Sequence, residues 1–204
     1  MIAFARIVVR KSLLRAVLCV ALLFVASASH AAIFTIDFES FADLDPVGTI
    51  SPATFINATV LTDGSVGGSL NELDFPPRSL FNVAFDLDGP MEILFSTPIS
   101  LFSGWFTYNT PLTIQAFTAV NSPVDSKSSG ALPNLGSSEL LEVVGANISR
   151  VLITGDPLGG SFALDDVTFE TQPFVGPEPT SLLLLGGGLV GLVGRRLRAG
   201  RSRA

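Results

Sequence analysis

Hydrophobic and polar residues alternate along the middle of the chain, over residues 33–174. In the stretch FTIDFE at 34–39, Ile36 and Phe38 alternate with acidic residues, and the stretch MEILF at 91–95 places its apolar residues on one side. Side chains with a period of two point to opposite faces of a β-strand. The pattern therefore predicts a series of half-buried strands.

Turn-forming sequences separate these stretches, among them DPVG, TDGSVGG, LDGP and DPLGG. Gly, Pro and Asp favour tight turns, and short strands separated by turns about every ten residues are typical of sandwiches. No stretch of residues 33–171 keeps a helical period beyond one or two turns. We therefore predict an all-β domain at 33–171, an antiparallel β-sandwich or jelly roll of about 8–10 strands. Phenylalanine, present 16 times in the chain, is expected to fill its core.

The N-terminal residues 1–31 have the three-part order of a secretory signal peptide. Basic residues come first, an apolar run follows at 16–25, and the small residues ASASHAA come last. Ser29-x-Ala31 is the best cleavage site, and the apolar run predicts a signal helix too short for a comfortable membrane span.

Charge is divided unevenly along the chain. Only three of the 12 basic residues lie at 33–171, whereas 17 of the 18 acidic residues do, so this part has a formal charge of −14. Phosphates of nucleic acids and of anionic membranes need positive partners, which argues against both as partners of the domain. High net charge also keeps a protein soluble, and solubility alone is the alternative explanation.

The residue types restrict catalysis. Cys19 and His30 are the only Cys and His, and both fall within the predicted signal peptide. A Ser-His-Asp triad, a Cys-His pair and a zinc site of the usual kind are therefore excluded from the exported domain. A pair of carboxylates could still form a glycosidase site, but ELDFPP at 72–77 lacks the last glutamate of the laminarinase-type Glu-x-Asp-x-x-Glu strand. We predict a non-enzymatic domain, with a carboxylate-based glycosidase as the alternative.

Acidic residues recur in the first and last predicted strands, IDFES and ALDDVTFE. This pairing resembles many jelly-roll carbohydrate-binding modules, in which the two motifs lie side by side and hold a structural calcium. The resemblance implies Glu39 and Asp165 as ligands, with Asp37 and Asp166 as alternates. Calcium takes six to eight oxygen ligands, which adjacent strands can supply. The alternative is that these acids are outward-facing and solvated.

The stretch LFSGWFTYNTP contains the only Trp and the only Tyr of the chain. Alternation places Phe102, Phe106 and Tyr108 on one face, and Trp105 on the other with Ser103 and Thr107. These last two residues make that face polar. An aromatic ring on a polar face can stack on a sugar, so Trp105 is a candidate ligand contact. The alternative is that a loop packs on it.

The chain ends in a segment of three parts. They are a Pro/Gly-rich linker at 172–179, an uncharged apolar stretch at 180–194 and a basic tail at 195–204. As a helix, the 15 apolar residues would span about 22 Å, short of the roughly 30 Å hydrocarbon core. The arginines of the tail, Arg195, Arg196 and Arg198 among them, would stop transfer on the cytoplasmic side.

The order Pro177-Glu178-Pro179, apolar stretch and arginine cluster resembles the PEP-CTERM sorting signal. The resemblance implies an exported protein of a Gram-negative bacterium, held transiently in the inner membrane and processed by an exosortase near the Pro-Glu-Pro. The cell surface or an extracellular matrix with exopolysaccharide would then be its destination. The stretches GWFTYNTPLTIQAFTA and GGSFALDDVTFE also resemble the β-sandwich body of such cargo proteins. We expect the body to bind glycan or calcium, with a purely structural matrix component as the alternative.

Overall fold

A computed structural model describes residues 31–172 and residues 187–188. Residues 31–172 form one compact unit. The predicted signal helix, the Pro-Glu-Pro motif and the basic tail lie outside the described residues. Of the predicted C-terminal hydrophobic helix only two residues, Gly187 and Gly188, are described, and both are helical. The described part includes no helix with the length and apolar character that a membrane crossing requires.

Residues 31–172 form ten strands and one short 3-10 helix at Gly64–Val66. The strands are β1 Ile33–Ile36, β2 Thr49–Ile50, β3 Ala53–Ile56, β4 Thr59–Thr62, β5 Asn82–Phe85, β6 Met91–Tyr108, β7 Thr113–Phe117, β8 Pro123–Ser128, β9 Glu139–Thr154 and β10 Phe162–Thr171. Every pair of strands is antiparallel. The predicted all-β, antiparallel domain and its strand number are confirmed.

The long strands β6 and β9 run through two half-sheets. In the first half-sheet the order is β2-β3-β6-β9-β7-β8, with the start of β6 and the end of β9. In the second half-sheet the order is β4-β5-β10-β6-β9, and β1 pairs with the last part of β10. The β6–β9 register shifts between Leu94 and Ile99, where the pair passes from one half-sheet to the other. Such irregularities bend strands, which lets one continuous ladder serve two layers.

Phenylalanine side chains join the two half-sheets. Phe38, just after β1, meets Phe55 of β3 with ring centroids 5.8 Å apart. Phe95 meets Phe169 of β10 at 5.2 Å. Full burial of a side chain of this size stabilises the fold by about 1.5–3 kcal/mol. The predicted phenylalanine core is confirmed, and Met91, Ile93 and Phe95 are all buried on the side that alternation predicted.

A second apolar cluster lies on the outer face of the second half-sheet. Its members come from β4, β5, β10 and the segment between β4 and β5, and they are Leu61, Leu70, Phe75, Val83, Phe85 and Ala163. We call the segment 63–81 the cover. Because the cover buries the outer face of β5, all four residues of this strand are buried, not only those facing the main core. Alternation predicted one buried face for this strand, and the cover supplies the second.

The two ends of the described sandwich lie side by side. The Ala32 N–H donates to Thr171 Oγ1 at 3.0 Å, and the Thr171 N–H donates to the Ala32 carbonyl at 2.9 Å. The chain therefore enters and leaves the sandwich at the same place.

Candidate ligand-binding face

The outer face of the second half-sheet is covered over one part and open over the other. Three rows of side chains cross from β10, or from β1, towards β9. They are Asp165-Trp105-Leu140, Thr35-Thr168-Ser103-Glu142 and Ile33-Glu170-Leu101-Val144. The cover extends over the outer face as far as the first row, where Arg78 lies on Trp105. We call the second and third rows, together with Trp105 and Leu140, the open face.

Hydroxyl groups form the middle of the open face. The hydroxyls of Thr35 and Thr168 lie 3.5 Å apart. Ser103, the next residue in the row, keeps only 8% of its surface exposed. Its hydroxyl is not among the fully enclosed side-chain atoms that lack a partner, and it forms no hydrogen bond within residues 31–172. The Ser103 hydroxyl is therefore a nearly buried donor and acceptor that is free for a ligand on this face.

Trp105 lies at the border between the cover and the open face. Alternation placed it correctly, because Phe102, Phe106 and Tyr108 are in the main core while Ser103 and Thr107, its neighbours along the strand on the outer face, are polar. The Arg78 guanidinium lies 3.5 Å from the centroid of the indole ring. A cation over an aromatic face is attracted by the ring quadrupole. One face of Trp105 is thus occupied by the protein itself, and its contact with a ligand stays a prediction.

Asp165 holds the end of the cover to the sheet. Its Oδ2 accepts hydrogen bonds from the backbone N–H groups of Arg78 at 2.7 Å and Ser79 at 2.9 Å. Its Oδ1 accepts from the Ser79 hydroxyl at 3.0 Å and from the Asp166 N–H at 2.7 Å. Burial raises the pKa of the Asp165 carboxyl to about 6, although these donors act in the opposite direction.

Glu39 holds the next part of the same segment to the sheet, at Phe81 and Asn82. Its Oε1 accepts hydrogen bonds from the N–H groups of Phe81 and Asn82, both at 3.0 Å. The Asn82 amide in turn donates to the carbonyls of Phe38 and Phe41. We call Glu39 and Asp165 the carboxylate clamp, because together they bind the chain from Arg78 to Asn82.

Three of the seven non-glycine residues with positive φ in residues 31–172 lie next to this clamp. The φ values are 62° at Phe38, 32° at Leu80 and 46° at Asp166. Phe38 and Asp166 are each next to a clamp residue, and Leu80 lies in the segment that the clamp binds. Residues with a Cβ rarely adopt positive φ, at a cost of about 1–2 kcal/mol each. The hydrogen bonds of the clamp offset part of that cost.

The four acids predicted to bind calcium are divided between separate roles. Glu39 and Asp165 form the clamp, Asp37 accepts the Glu39 N–H at 3.2 Å, and Asp166 lies 3.7 Å from Arg78 Nε. Nowhere in residues 31–172 do three or more acidic side chains converge as metal ligands. N–H and O–H groups occupy both oxygens of Asp165 and Oε1 of Glu39, and their positive ends point to where a cation would bind. These residues as arranged do not fit calcium, which stays a prediction from sequence.

Asp86, in the stretch DLDG at 86–89, is a further buried carboxylate. The sequence pattern indicated only a turn there. Asp86 Oδ1 accepts the N–H groups of Ser161 and Phe162 at 2.8 Å each, and Oδ2 accepts the Ser161 hydroxyl at 2.7 Å. Burial raises the pKa of the Asp86 carboxyl. This aspartate ties the β5–β6 turn to the start of β10, which is a structural role.

Sequence reasoning identified Trp105 and placed Ser103 on the same side of β6, but it missed Glu142 on the open face and Arg78 at its border. Alternation alone gave the side of β6 on which Ser103 lies, so that signal was available. Which strands lie beside it depends on register, and the approach of Arg78 depends on the path of the cover. Neither is encoded within a single strand.

Residues 177–199 match the family model described as the PEP-CTERM protein-sorting motif. This match confirms the assignment of the C-terminal segment, which includes Pro177, Glu178 and Pro179. The motif indicates an exported protein that is anchored and then sorted to the cell surface. No curated protein matches the chain in sequence.

Several solved β-structures are similar to the sandwich. The K2 cleaved adhesin domain of Lys-gingipain is 16% identical, with a TM-score of 0.45, over 68% of this chain and 99% of that domain. The K1 domain of Lys-gingipain from Porphyromonas gingivalis is 11% identical, with a TM-score of 0.44, over 69% and 99%. A family 29 carbohydrate-binding module from Piromyces equi is 8% identical, with a TM-score of 0.40, over 70% and 91%. Likeness of this degree carries no information about ligands.

Proposed function

We propose that this chain is a non-enzymatic surface or matrix protein whose sandwich binds glycan on its open face. In this proposal the apolar stretch 180–194 holds the exported precursor transiently in the inner membrane of a Gram-negative bacterium. Arg195, Arg196 and Arg198 remain on the cytoplasmic side, and an exosortase-type enzyme processes the chain at or near Pro177–Pro179. The match of residues 177–199 to the sorting motif is the observation that carries the route.

The position of the motif supports processing without damage to the domain. The last strand ends at Thr171, and the matched segment begins at residue 177. Cleavage near the motif therefore leaves every hydrogen bond of the sandwich in place. The product would be the complete sandwich with a short C-terminal extension.

The open face supports glycan binding. It combines one partly exposed indole, a row of hydroxyls from Thr35 to Ser103, and apolar side chains such as Leu140, which is 47% exposed. Sugars present hydroxyls along their edges and C–H groups on their faces, which suit such a mixture of hydrogen-bonding and flat apolar groups. The sandwich at 31–172 contains no Cys or His, which supports binding rather than catalysis.

A purely structural matrix component is the second candidate. Arg78 over Trp105 favours it, because the ring face that would stack on a sugar is covered by the protein itself. The two candidates make different predictions for the same variant.

Two measurements test the proposal. Mass spectrometry of the protein from its native host should find a C-terminus near Pro179, and an intact C-terminus in the membrane fraction would show an ordinary anchor instead. A glycan array on the full chain should give a signal that Trp105→Ala lowers and Val120→Ala leaves unchanged. Val120 is 84% exposed in the turn between β7 and β8, which are strands of the first half-sheet. Absence of any glycan signal would leave the structural candidate.

A further inference from the structure

Two carboxylates on the open face have no partner among residues 31–172. Glu142 is exposed beside Ser103, and Glu170 lies on β10, two residues beyond Thr168. Within residues 31–172, the only ion pairs are Arg78–Asp166 and Arg150–Glu92, so neither glutamate forms an ion pair with a described residue. Their oxygens also accept no hydrogen bond from the described residues. They contrast with the clamp carboxylates, since both oxygens of Asp165 and Oε1 of Glu39 accept hydrogen bonds from the protein.

Spacing places these charges at the two sides of the hydroxyl row. Glu142 and Glu170 are separated by two strand spacings and by two residues along the strand. Adjacent strands lie about 4.8 Å apart and residues rise about 3.4 Å each, so the two Cβ atoms are roughly 12 Å apart. Ser103, more than nine-tenths buried with a free hydroxyl, lies between them. A ligand that reaches both carboxylates passes over this hydroxyl.

The charge of the domain restricts what such a ligand can be. With a formal charge of −14 on residues 33–171, a polyanionic polysaccharide or a second copy of this chain would be repelled. A neutral glycan would leave Glu142 and Glu170 partly desolvated without a partner, which costs binding energy. A glycan with protonated amino groups would satisfy the carboxylates, and its hydroxyls would meet the Thr and Ser row.

We propose that the open face binds a polycationic glycan built of amino sugars, with ammonium groups paired to Glu142 and Glu170. This inference rests on the proposed glycan-binding function and adds the charge class of the ligand. Ser103 and Thr168 hydrogen-bond to the sugar between the charges, and Trp105 with Leu140 contacts its apolar side. Opposite charges at an exposed site give salt-sensitive binding.

The test uses the full chain in detergent and measures binding by calorimetry in a mildly acidic buffer that keeps amino groups protonated. The probes are a glucosamine hexamer, the N-acetylglucosamine hexamer and a lysine decapeptide. We expect the glucosamine hexamer to bind most tightly and the E142Q/E170Q variant to weaken it about tenfold, since each exposed ion pair contributes modestly. The control variant, E72Q/D88N, removes two negative charges away from the face and should change affinity less than twofold.

Each other outcome has a defined meaning. Equal binding of both hexamers, unaffected by E142Q/E170Q but lost in Trp105→Ala, would overturn the amino-sugar inference and keep the glycan-binding function. Tighter binding of the lysine decapeptide, with the same dependence on the two glutamates, would assign the face to a basic protein and overturn the inference. Binding of none of the probes, together with a silent glycan array, would overturn both.

Discussion

The covered and the open parts of the second half-sheet present acidic residues on the same outer face, yet these acids have opposite surroundings. Asp165 and Glu39 accept hydrogen bonds from a chain segment more than forty residues away in sequence. Glu170, further along the same strand as Asp165, and Glu142, two strands away on β9, accept no hydrogen bond and form no ion pair within residues 31–172. The charge of a carboxylate thus says little about its role. Whether backbone N–H groups reach it decides between holding the fold and remaining available to a ligand.

Among the variants considered, Asp165→Ala is expected to have the largest effect on stability. It leaves the N–H groups of Arg78, Ser79 and Asp166 without their acceptor, and we expect a loss of about 3 kcal/mol in the free energy of unfolding. Urea unfolding measures it. Glu142→Ala on the open face is the matched control and should stay within about 0.5 kcal/mol of wild type. Equal losses in both variants would show that Asp165 contributes no more to stability than an acid on the open face.

The ionisation of Asp165 gives the next largest effect. Its pKa is about 6 in the folded protein against 3.8 ordinarily, so the folded state holds the proton more tightly than the unfolded state. Stability from this group is therefore greatest below about pH 4 and falls as the pH rises to about 6, by about 2 kcal/mol. The difference in unfolding free energy between wild type and Asp165→Asn, followed over this range, isolates the contribution. A difference that does not vary with pH would contradict the burial of an ionisable clamp.

Arg78→Ala tests whether the arginine covers Trp105 at the border between the cover and the open face. It removes the guanidinium from the indole and should cost about 0.5–1 kcal/mol. Because Trp105 is the single tryptophan of the chain, acrylamide quenching of its fluorescence reports directly on this change and should increase. Lys127→Ala removes a cation on β8 and should leave both readings unchanged. Unchanged quenching in Arg78→Ala would mean that the arginine does not cover the ring in solution.

The smallest expected effect concerns calcium. Because donors fill three of the four clamp oxygens and no third acidic side chain of the described residues joins them, we expect the melting temperature with excess Ca²⁺ and with chelator to agree within about 2 °C. Thermal unfolding of the full chain measures it. A clear rise with Ca²⁺ would revive the calcium site predicted at Glu39 and Asp165, since a ligand bound only by the folded state must stabilise it.

The fold was largely predictable because its strands alternate in the simple way that a sandwich requires. Phe102 and Phe106 point inward, and Trp105 outward, for reasons contained within one strand. The two acidic motifs were also expected to share a task, and both hold the same segment. The groups that donate hydrogen bonds to these carboxylates were not predictable, since Arg78 and Asp165 are separated by 87 positions. The composition of the open face was hidden for the same reason, because neighbours across strands depend on register.

The pairing of Ala32 with Thr171 has a practical consequence for anyone who handles or labels the protein. An affinity tag or fluorophore fused ahead of Ala32 would begin beside Thr171, the end of the last strand, and a few residues in sequence from the sorting motif. The turn around Val120, exposed and far along the chain from both ends, is a better place for an insertion. A reporter in that turn would follow the protein through export and processing without obstructing its own release.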